Sequence, residues 1–268
     1  MLHLFKLEWK KLYPNRAFKI ITILYVLLLP LLFFTVKSAT KPNAPRQLNI
    51  IEPLYKFPLI WESMAYWASW LAFFLLVYLS VWIVTSEYNS KTMRQNIITG
   101  LSRKNFLIAK FLLIISLAGF ATLYMSINAL TIGYITGGYG DPWGEETAAI
   151  GRFFVQTIFY MSFAFMLAII FKKSGLTMII FFAYVMIIER IIRYLVFLNI
   201  FENLSAGSYF PASAAWDVVP MYMVKHVPDF SNKVANIILP YDIAVSLTIF
   251  FSFIFLLIAA FVFLRRDL

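Results

Sequence analysis

Long hydrophobic runs alternate with short polar segments along the whole chain. A helix needs about 20 mostly apolar residues to cross ~30 Å of hydrocarbon. The pattern therefore predicts six membrane-spanning helices, at 18–36, 67–85, 106–135, 153–171, 176–198 and 243–264. The third run is long enough to tilt or to project from the bilayer, and Pro30 in the first run predicts a kink. The predicted fold is an all-α integral membrane protein, with residues 1–268 forming one transmembrane domain.

The composition also indicates a membrane protein. Apolar residue types make up 62% of the chain and charged types 13%, whereas soluble domains have about a quarter of their residues charged. The absence of Cys excludes disulfides and thiolate metal sites, and His3 and His226 lie too far apart in sequence to suggest a metal centre. We find no phosphate-binding loop, dinucleotide glycine motif or Gly-x-Ser-x-Gly elbow. We therefore expect no metal, no cofactor and no enzymatic activity in this chain by itself.

Lys and Arg are unevenly distributed between the polar segments. They are concentrated at the N-terminus, in 86–105, at Lys172 and Lys173, and at the C-terminus, whereas the other loops hold most acidic residues. Basic residues are enriched in cytoplasmic loops, so both termini are predicted to be cytoplasmic in a bacterial inner membrane. The net charge of +10 then reflects this topology and contact with anionic lipids, and nucleic-acid binding is not needed to explain it.

The first segment, 1–16, has the pattern of an amphipathic helix and not that of a cleaved signal peptide. Its apolar face is formed by Leu2, Phe5, Trp9, Leu12 and Tyr13, and its basic residues lie away from that face. We predict a helix in the cytoplasmic membrane interface, ended by Pro14. The alternative is an ordinary basic tail beside the first span.

The segment 86–105, between the second and third spans, contains several local structure signals. Ser86 is predicted to cap a short helix that starts near Glu87. Gly100 predicts a turn at 99–101, and Ser102 is predicted to cap a helix that starts at Arg103 and continues into the third span. The alternative is a basic loop whose only role is to set the topology.

At these residues the chain resembles the permease subunits of ABC-2-type ABC transporters. That family carries a Glu after the second span, a Gly/Lys-Thr pair, a small residue or Pro, a Ser-Arg pair and a Lys. The matching residues here are Glu87, Lys91-Thr92, Gly100, Ser102-Arg103 and Lys110, and the run KTMRQNIITGLSR is similar to a Bacteroidetes-type subgroup. Lys91 replaces the frequent Gly, and Gly100 stands near the frequent Pro. The remaining resemblance lies in the number and order of the segments.

The resemblance implies that 86–105 holds a coupling helix, which sits in a cleft of a cytoplasmic ABC ATPase. ATP and Mg²⁺ would bind that separate subunit, and two ATPase copies would work with a homodimer of this chain. Met93, Ile97 and Ile98 would supply an apolar anchor, and Arg94, Arg103 and Lys104 a charged rim. The predicted coupling residues are Glu87, Thr92, Met93, Arg94, Ile97, Gly100, Ser102, Arg103 and Lys104. We expect the first and fifth spans to form the dimer contact.

The fifth predicted span contains charged residues, Glu189, Arg190 and Arg193, in its outer half. A charge at the bilayer centre costs at least ~2.5 kcal/mol. Glu189 and Arg193 are spaced to pair on one helical face. One hypothesis places these residues at the translocation path or a gate, and the alternative is a self-neutralising pair that anchors the helix end. The following outer segment, 199–240, is predicted to form short re-entrant helices or a lid on the spans.

Different classes of function remain open from the sequence. The first is a permease subunit that exports a lipid-linked, peptide or amphipathic molecule. The second is a non-transporting scaffold or sensor coupled to an ATPase. The third is an intramembrane enzyme, since Glu145-Glu146 is similar to part of the Glu-Glu-xxx-Arg motif of membrane proteases. Ile150 stands at the Arg position of that motif and the pair lies in an outer loop, so the third class is disfavoured.

Overall fold

The computed structural model describes residues 2–39, 52–98, 100–137, 141–196, 204–221 and 238–265. All regular secondary structure in these residues is helical, and six of their helices are long and apolar enough to cross a membrane. The described residues therefore confirm the predicted all-α fold with six long apolar helices, as expected of a multi-pass membrane protein. Of the outer segment 199–240, the parts 199–203 and 222–237 lie outside the described residues, as does Thr99 of the predicted turn.

The helices are numbered in the order in which they occur along the chain. The first two are α1 (Leu2–Leu12) and span 1, which is α2 (Arg16–Ala39). Span 2 consists of α3 (Ile60–Leu71), a π-helical turn (Ala72–Leu76) and α4 (Val77–Asn89). A short helix, α5 (Thr92–Ile98), leads to span 3, which is α6 (Arg103–Gly137).

Span 4 is α7 (Ala149–Phe171). Span 5 consists of α8 (Ser174–Phe182), a second π-helical turn (Ala183–Ile188) and α9 (Glu189–Val196). A short helix, α10 (Pro211–Val218), follows, and span 6 is α11 (Tyr241–Arg265). Single 3-10 turns occupy Glu52–Tyr55, Glu145–Ala148 and Leu204–Tyr209.

Span 4 lies at the centre of the bundle. It packs against α3, α4, α6, α8, α10 and α11, and it is the most buried of the spans. Spans 1, 5 and 6 are the least buried, and they expose apolar side chains such as Leu27, Ile179 and Phe253. A hydrocarbon environment removes the cost of exposing such side chains, so this distribution fits a bundle surrounded by lipid.

The two ends of the bundle differ in charge. At one end, called here the basic end, lie α1, α5, the Lys172-Lys173 turn between spans 4 and 5, and the end of α11 at Arg265. The opposite end carries α10 and the acidic turn at Glu145–Ala148.

Span 2 extends beyond its predicted limits of 67–85 at both ends. Glu62 lies in its first turns and Glu87 in its last, and both carboxylates are buried against basic side chains of other helices. The prediction that Ser86 caps a new helix is therefore wrong, because α4 continues through Ser86 and Glu87 to Asn89. The chain turns at Lys91, which has a φ of 56°, and the short helix begins at Thr92.

Local signals just before α6 behave as predicted. Gly100 has a φ of 106°, a conformation that side-chain-bearing residues rarely adopt. Ser102 Oγ accepts a hydrogen bond from the Asn105 backbone N–H at 3.2 Å and so caps the start of α6. A similar cap that the sequence analysis did not predict lies before α2, where Asn15 Oδ1 accepts a hydrogen bond from the Ala17 N–H at 2.9 Å.

Candidate functional site

A buried cluster of charged side chains connects three helices at the basic end. Lys110, in α6, is 2% exposed, and its ammonium group lies 2.5 Å from Glu8 Oε2 in α1 and 2.7 Å from Glu87 Oε1 in α4. Lys11 Nζ lies 2.9 Å from Glu8 Oε1 and 3.5 Å from Glu87 Oε1. The two carboxylates and the two ammonium groups thus balance in charge. We call these residues, Glu8, Lys11, Glu87 and Lys110, the ion cluster.

The helix α1 brings Glu8 to this cluster because its packing face includes Glu8 along with apolar side chains. Leu12 is buried on the same face, Phe5 and Trp9 pack against the core, and Lys6 and Lys10 are exposed. Trp9 also forms an edge contact with Phe120 of α6, with ring centroids 5.5 Å apart. Of the predicted apolar face, Phe5, Trp9 and Leu12 pack against the rest of the chain, mainly α6, whereas Tyr13 is 70% exposed.

The charges of the ion cluster stabilise one another's ionised forms. Burial alone would raise the pKa of Glu8, but Lys110 and Lys11 outweigh it, and the net result is a pKa below its usual value. Burial would likewise lower the pKa of Lys11, but its contacts with Glu8 and Glu87 hold that pKa above its usual value. Such groups are stable in a buried position only while their partners remain in place.

A crevice of about 430 Å³ lies beside the ion cluster, between α1, α4 and α5. Its walls include Glu8, Lys11, Glu87 and Lys110, together with polar residues of the loop and of α5. One carboxylate oxygen, Glu87 Oε2, is buried and has no hydrogen-bond partner among the described residues. This oxygen is enclosed by protein and is not accessible from the crevice.

The predicted coupling residues divide between the protein interior and its surface. Met93 is 2% exposed and belongs to the core, whereas Ile97 is half-buried and Ile98 is 76% exposed. Met93 thus attaches α5 to its own chain, and the prediction that it anchors a partner is wrong. Periodicity within a helix shows which residues share a face, but it does not show whether that face is covered by the same chain.

The remaining residues of this segment contact their own chain or solvent. Thr92 Oγ1 lies 2.9 Å from Ser90 Oγ at the start of α5. Arg103 Nη1 donates a hydrogen bond to the Leu264 carbonyl at 3.1 Å and so connects span 3 to the end of span 6. Lys104 is exposed. Arg94 lies in α5, and its side chain lies outside the described part of the structure.

At the opposite end, Glu189 holds the outer helix α10 against the spans. Glu189 is 2% exposed, and its carboxylate oxygens accept hydrogen bonds from the backbone N–H groups of Ala212 at 2.9 Å and Ser213 at 2.5 Å. These N–H groups lie in the first turn of α10, where the helix itself offers them no acceptor, and a negative charge is favourable there. The hypothesis of an isolated Glu189–Arg193 pair does not account for these contacts.

Neighbouring side chains add to this attachment. Arg193 Nη2 donates to Ser208 Oγ at 2.8 Å, and the Arg190 guanidinium lies 5.6 Å from the centre of the Trp216 ring. Gln156 of span 4 donates from Nε2 to the Ala215 carbonyl at 2.8 Å. The charged residues of span 5 therefore contact the outer segment 204–221, which packs on spans 4, 5 and 6.

A second buried ion pair lies at the same end. Arg152 Nη2 of span 4 contacts Glu62 Oε1 of span 2 at 3.0 Å, and both side chains are less than a tenth exposed. Tyr241 of span 6 donates from its hydroxyl to Glu62 Oε1 at 3.3 Å, and the Arg152 guanidinium lies 3.8 Å from the centre of the Tyr241 ring. This contact fixes spans 2, 4 and 6 to one another.

The sequence analysis did not assign Glu8, Lys11, Lys110, Glu62 or Arg152 to a site. A signal was available for Lys110, since it is a charged residue inside the apolar run 106–135, as Glu189 is in 176–198. Charged residues inside a predicted span require a partner or a polar cavity. That argument marks Lys110 as a residue that needs a partner, and Glu87 was already among the predicted coupling residues, but no local signal identifies Glu8 or Lys11 as members of the same site.

Comparison with known proteins places the chain in a family whose activity is not known. A family model described as "Protein of unknown function (DUF2705)" matches residues 47–268. This match covers most of the chain, and the chain therefore belongs to that family. It includes spans 2 to 6, whereas Glu8 and Lys11 lie before the matched residues. No curated protein matches the chain.

Proposed function

We propose that this chain is the membrane-spanning subunit of an ABC-2-type transporter, which exports a lipid-linked, peptide or amphipathic molecule. The energy would come from ATP hydrolysis in a separate cytoplasmic ATPase that binds ATP and Mg²⁺. The observation that carries the proposal is α5, a short helix outside the spans that is attached by Met93 and exposes Ile98. A single exposed apolar residue is common on protein surfaces, but Ile98 lies in the segment that resembles the coupling helix of ABC-2 permeases, and we therefore assign it to the contact with the ATPase.

The ion cluster supports this proposal because it connects α1, span 2 and span 3, which lie around α5. The chain reaches α5 directly from α4, which carries Glu87. Lys110 then links Glu87 to α1 through Glu8 and is itself part of span 3. The buried charges lose much of their stabilisation if any member moves away. A force on α5 would therefore displace α1, span 2 and span 3 together.

The proposed assembly contains two copies of this chain and two ATPase subunits in a bacterial inner membrane. The basic end, with both termini, faces the cytoplasm, as the distribution of Lys and Arg favours. Spans 1 and 5 form the contact between the copies, and both spans leave apolar surface uncovered within one chain. Residues Glu189, Arg190 and Arg193 act at the outer gate, because they hold the segment 204–221 over the spans.

The test is to compare Ile98→Asp with a matched control, Ile135→Asp. Ile98 is 76% exposed at the basic end, and Ile135 is 74% exposed at the end of span 3 on the opposite side. Each tagged full-length variant is purified from the native cells, and co-purifying ATP hydrolysis is measured. We expect the wild type and Ile135→Asp to retain an ATPase and Ile98→Asp to lose it. An ATPase retained by Ile98→Asp, or absent from the wild type, would contradict the proposal.

The same preparations distinguish a transporter from a scaffold. The wild-type complex is reconstituted in liposomes that contain labelled amphipathic and peptide cargo, and cargo movement is followed with and without ATP. ATP-dependent movement supports transport. ATP hydrolysis without movement of any cargo supports the alternative of a scaffold or sensor coupled to an ATPase.

A further inference from the structure

Arg190 is a charged residue that span 5 places at membrane depth. It lies in α9, about two helical turns before the end of that helix at Val196. Its guanidinium lies 5.6 Å from the centre of the Trp216 ring. That ring is 6.0 Å from the ring of Phe73, which belongs to the π-helical turn in the middle of span 2. The guanidinium therefore lies beside the spans and not in the water beyond their ends.

The charge of Arg190 is not balanced by a neighbouring acid. Glu189, the preceding residue, directs both carboxylate oxygens to backbone N–H groups of α10. Asp217, in α10, accepts from the Leu239 N–H and has Arg193 as its nearby cation. Among the residues that the structure describes, Arg190 thus has an aromatic ring beside it but no carboxylate partner. Charged residues inside spans are normally paired or face a polar path, so this one requires an anion.

The helical face that carries Arg190 is open to the surroundings of the chain. Arg190 is exposed, in contrast to the buried Glu189. Ile187 and Tyr194 lie on the same face, one helical turn before and after Arg190, and they are 56% and 64% exposed. The face therefore combines one cation with apolar surface. Hydrocarbon tails suit its apolar part, but they leave the cation uncompensated.

A second copy of the chain does not supply the missing negative charge. The proposed contact between copies uses spans 1 and 5. Span 1, Arg16–Ala39, contains no acidic residue. Glu189 is the only acidic residue of span 5, and it is buried and already hydrogen-bonded to α10. The compensating anion must therefore come from another molecule.

We propose that this face of span 5 binds an anionic amphiphile, whose acidic head group pairs with Arg190 and whose apolar chain lies along Ile187. A guanidinium can donate two parallel hydrogen bonds to a phosphate or carboxylate. A zwitterionic head group brings its own cation, leaves the charge of Arg190 uncompensated and binds more weakly. This site rests on the proposed function, because span 5 borders the route of the cargo only if the copies meet there. It narrows the cargo to amphiphiles of net negative charge.

The test compares two lipids that share one lauroyl chain and differ in the charge of the head group. Purified full-length protein in a neutral maltoside detergent is titrated with anionic lysophosphatidylglycerol or zwitterionic lysophosphatidylcholine. Native mass spectrometry measures the bound fraction of each lipid. We expect the wild type to bind the anionic lipid about tenfold more tightly, because only that lipid compensates the guanidinium.

Variants of Arg190 locate the site, and Arg265 offers a matched control. Arg265 is also an exposed Arg with its guanidinium near an aromatic ring, 4.0 Å from the centre of Phe261, but it lies at the basic end. Arg190→Gln should remove the tenfold preference. Arg190→Lys should retain part of it, because the charge remains, and Arg265→Gln should retain all of it. Thermal unfolding checks that each variant is folded.

Three results would overturn this site: equal affinity of the wild type for the two lipids, an unchanged preference in Arg190→Gln, or an equal loss in Arg190→Gln and Arg265→Gln. A folded Arg190→Gln that is less stable but keeps the preference would show that Arg190 only supports α10.

The binding assay needs no ATPase, so its result is separate from that of the proposed function. A preference that Arg190→Gln abolishes, in a protein with which no ATPase co-purifies, would reject the transporter and leave a lipid-binding site. A co-purifying ATPase that moves cargo in liposomes, in a protein without the preference, would reject the site and leave the transporter.

Discussion

Lys110 Nζ lies 2.5 Å from Glu8 Oε2 although the two residues are 102 positions apart in the chain. The contact crosses from α6 to α1, so it fixes the N-terminal helix against the third span. Glu87 joins from α4 at 2.7 Å. The packing of α1 therefore depends on the Lys110 ammonium group, which also neutralises Glu87 at the end of span 2.

The first prediction concerns Lys110. Lys110→Met should destabilise the protein by about 3–5 kcal/mol, because it leaves Glu8 and Glu87 with less compensation in a buried position. Thermal unfolding in detergent, compared at constant lipid content, measures this loss. Adding Glu8→Gln and Glu87→Gln to Lys110→Met should recover most of it, because neutral groups need no counter-charge. A triple variant as unstable as the single one would show that the charges are not responsible.

The second prediction separates the interactions of Tyr241 and Arg152 with Glu62. Arg152→Met should cost about 3–5 kcal/mol, since it removes the buried cation that contacts the Glu62 carboxylate. Tyr241→Phe should cost only about 1 kcal/mol, because it removes one hydrogen bond and preserves the ring beneath the guanidinium. Unfolding measurements on both variants test the order. Equal losses would contradict the assignment of Arg152 as the main partner.

The third prediction concerns the attachment of α10. Glu189→Gln should release α10, because the amide offers one acceptor oxygen and places a donor against the second backbone N–H. Hydrogen exchange in residues 211–218 should become faster, while exchange in span 4 should not change. Asp242→Asn, which alters an exposed acid at the same end, is the control. Exchange that is equally fast in both variants would contradict this role for Glu189.

The fourth prediction is a pH dependence that arises from Asp217. Burial raises its pKa from 3.8 to about 6, and the Leu239 N–H and the charge of Arg193 oppose that rise. Because the folded state binds the proton more tightly, the group favours folding at low pH, and this contribution decreases as the pH rises from about 4 to about 6.

The size of this effect can be isolated with Asp217→Asn. Between pH 4 and pH 7, the unfolding free energy of the wild type should fall by up to roughly 3 kcal/mol relative to that of the variant. Arg193 is left unchanged in both proteins. Parallel stability curves over this range would show that the pKa of Asp217 is not raised.

The fifth prediction concerns orientation. Lys173→Cys introduces the only Cys into a chain that has none, and we expect it to react with a membrane-impermeant thiol reagent only from the cytoplasmic side. Lys173 is preferable to Lys172, because Lys172 has a φ of 58° and a side chain there is already strained. Glu145→Cys, in the turn at the opposite end, should react from outside the cell. Reversed labelling of the pair would reverse the proposed topology.

The number and type of the spans could be predicted from the sequence, because backbone groups in hydrocarbon must be satisfied within a helix. The limits of span 2 could not be predicted. Glu62 is a charged residue, so the hydropathy pattern places it outside the span. The helix includes it because Arg152, 90 positions away, neutralises it. Apolar pattern alone locates the hydrocarbon-facing part of a helix and misses turns that are stabilised by distant side chains.

The candidate site was only partly predictable for the same reason. The motif residues Glu87 and Lys110 were visible as a pattern, but Glu8, the second carboxylate that contacts Lys110, lies on another helix. The pattern also marked Met93, Ile97 and Ile98 as apolar, and only the packing of α5 shows that Met93 is buried and Ile98 exposed. Gly100 and Ser102 were predicted correctly because their roles depend on adjacent residues.

The π-helical turns at Ala72–Leu76 and Ala183–Ile188 constrain how the chain can change in length. Phe73 in the first turn packs against Phe182, the residue just before the second turn, with ring centroids 5.2 Å apart. A π turn accommodates one residue more than an α-helical turn would, so removing one residue there restores an α-helix and leaves the parts on either side in their orientation. A deletion elsewhere between Glu62 and Glu87 would rotate one relative to the other by about 100° and break one of the two buried ion pairs. Single-residue deletions in span 2 should therefore be tolerated in evolution at the π turn and nowhere else between these two residues.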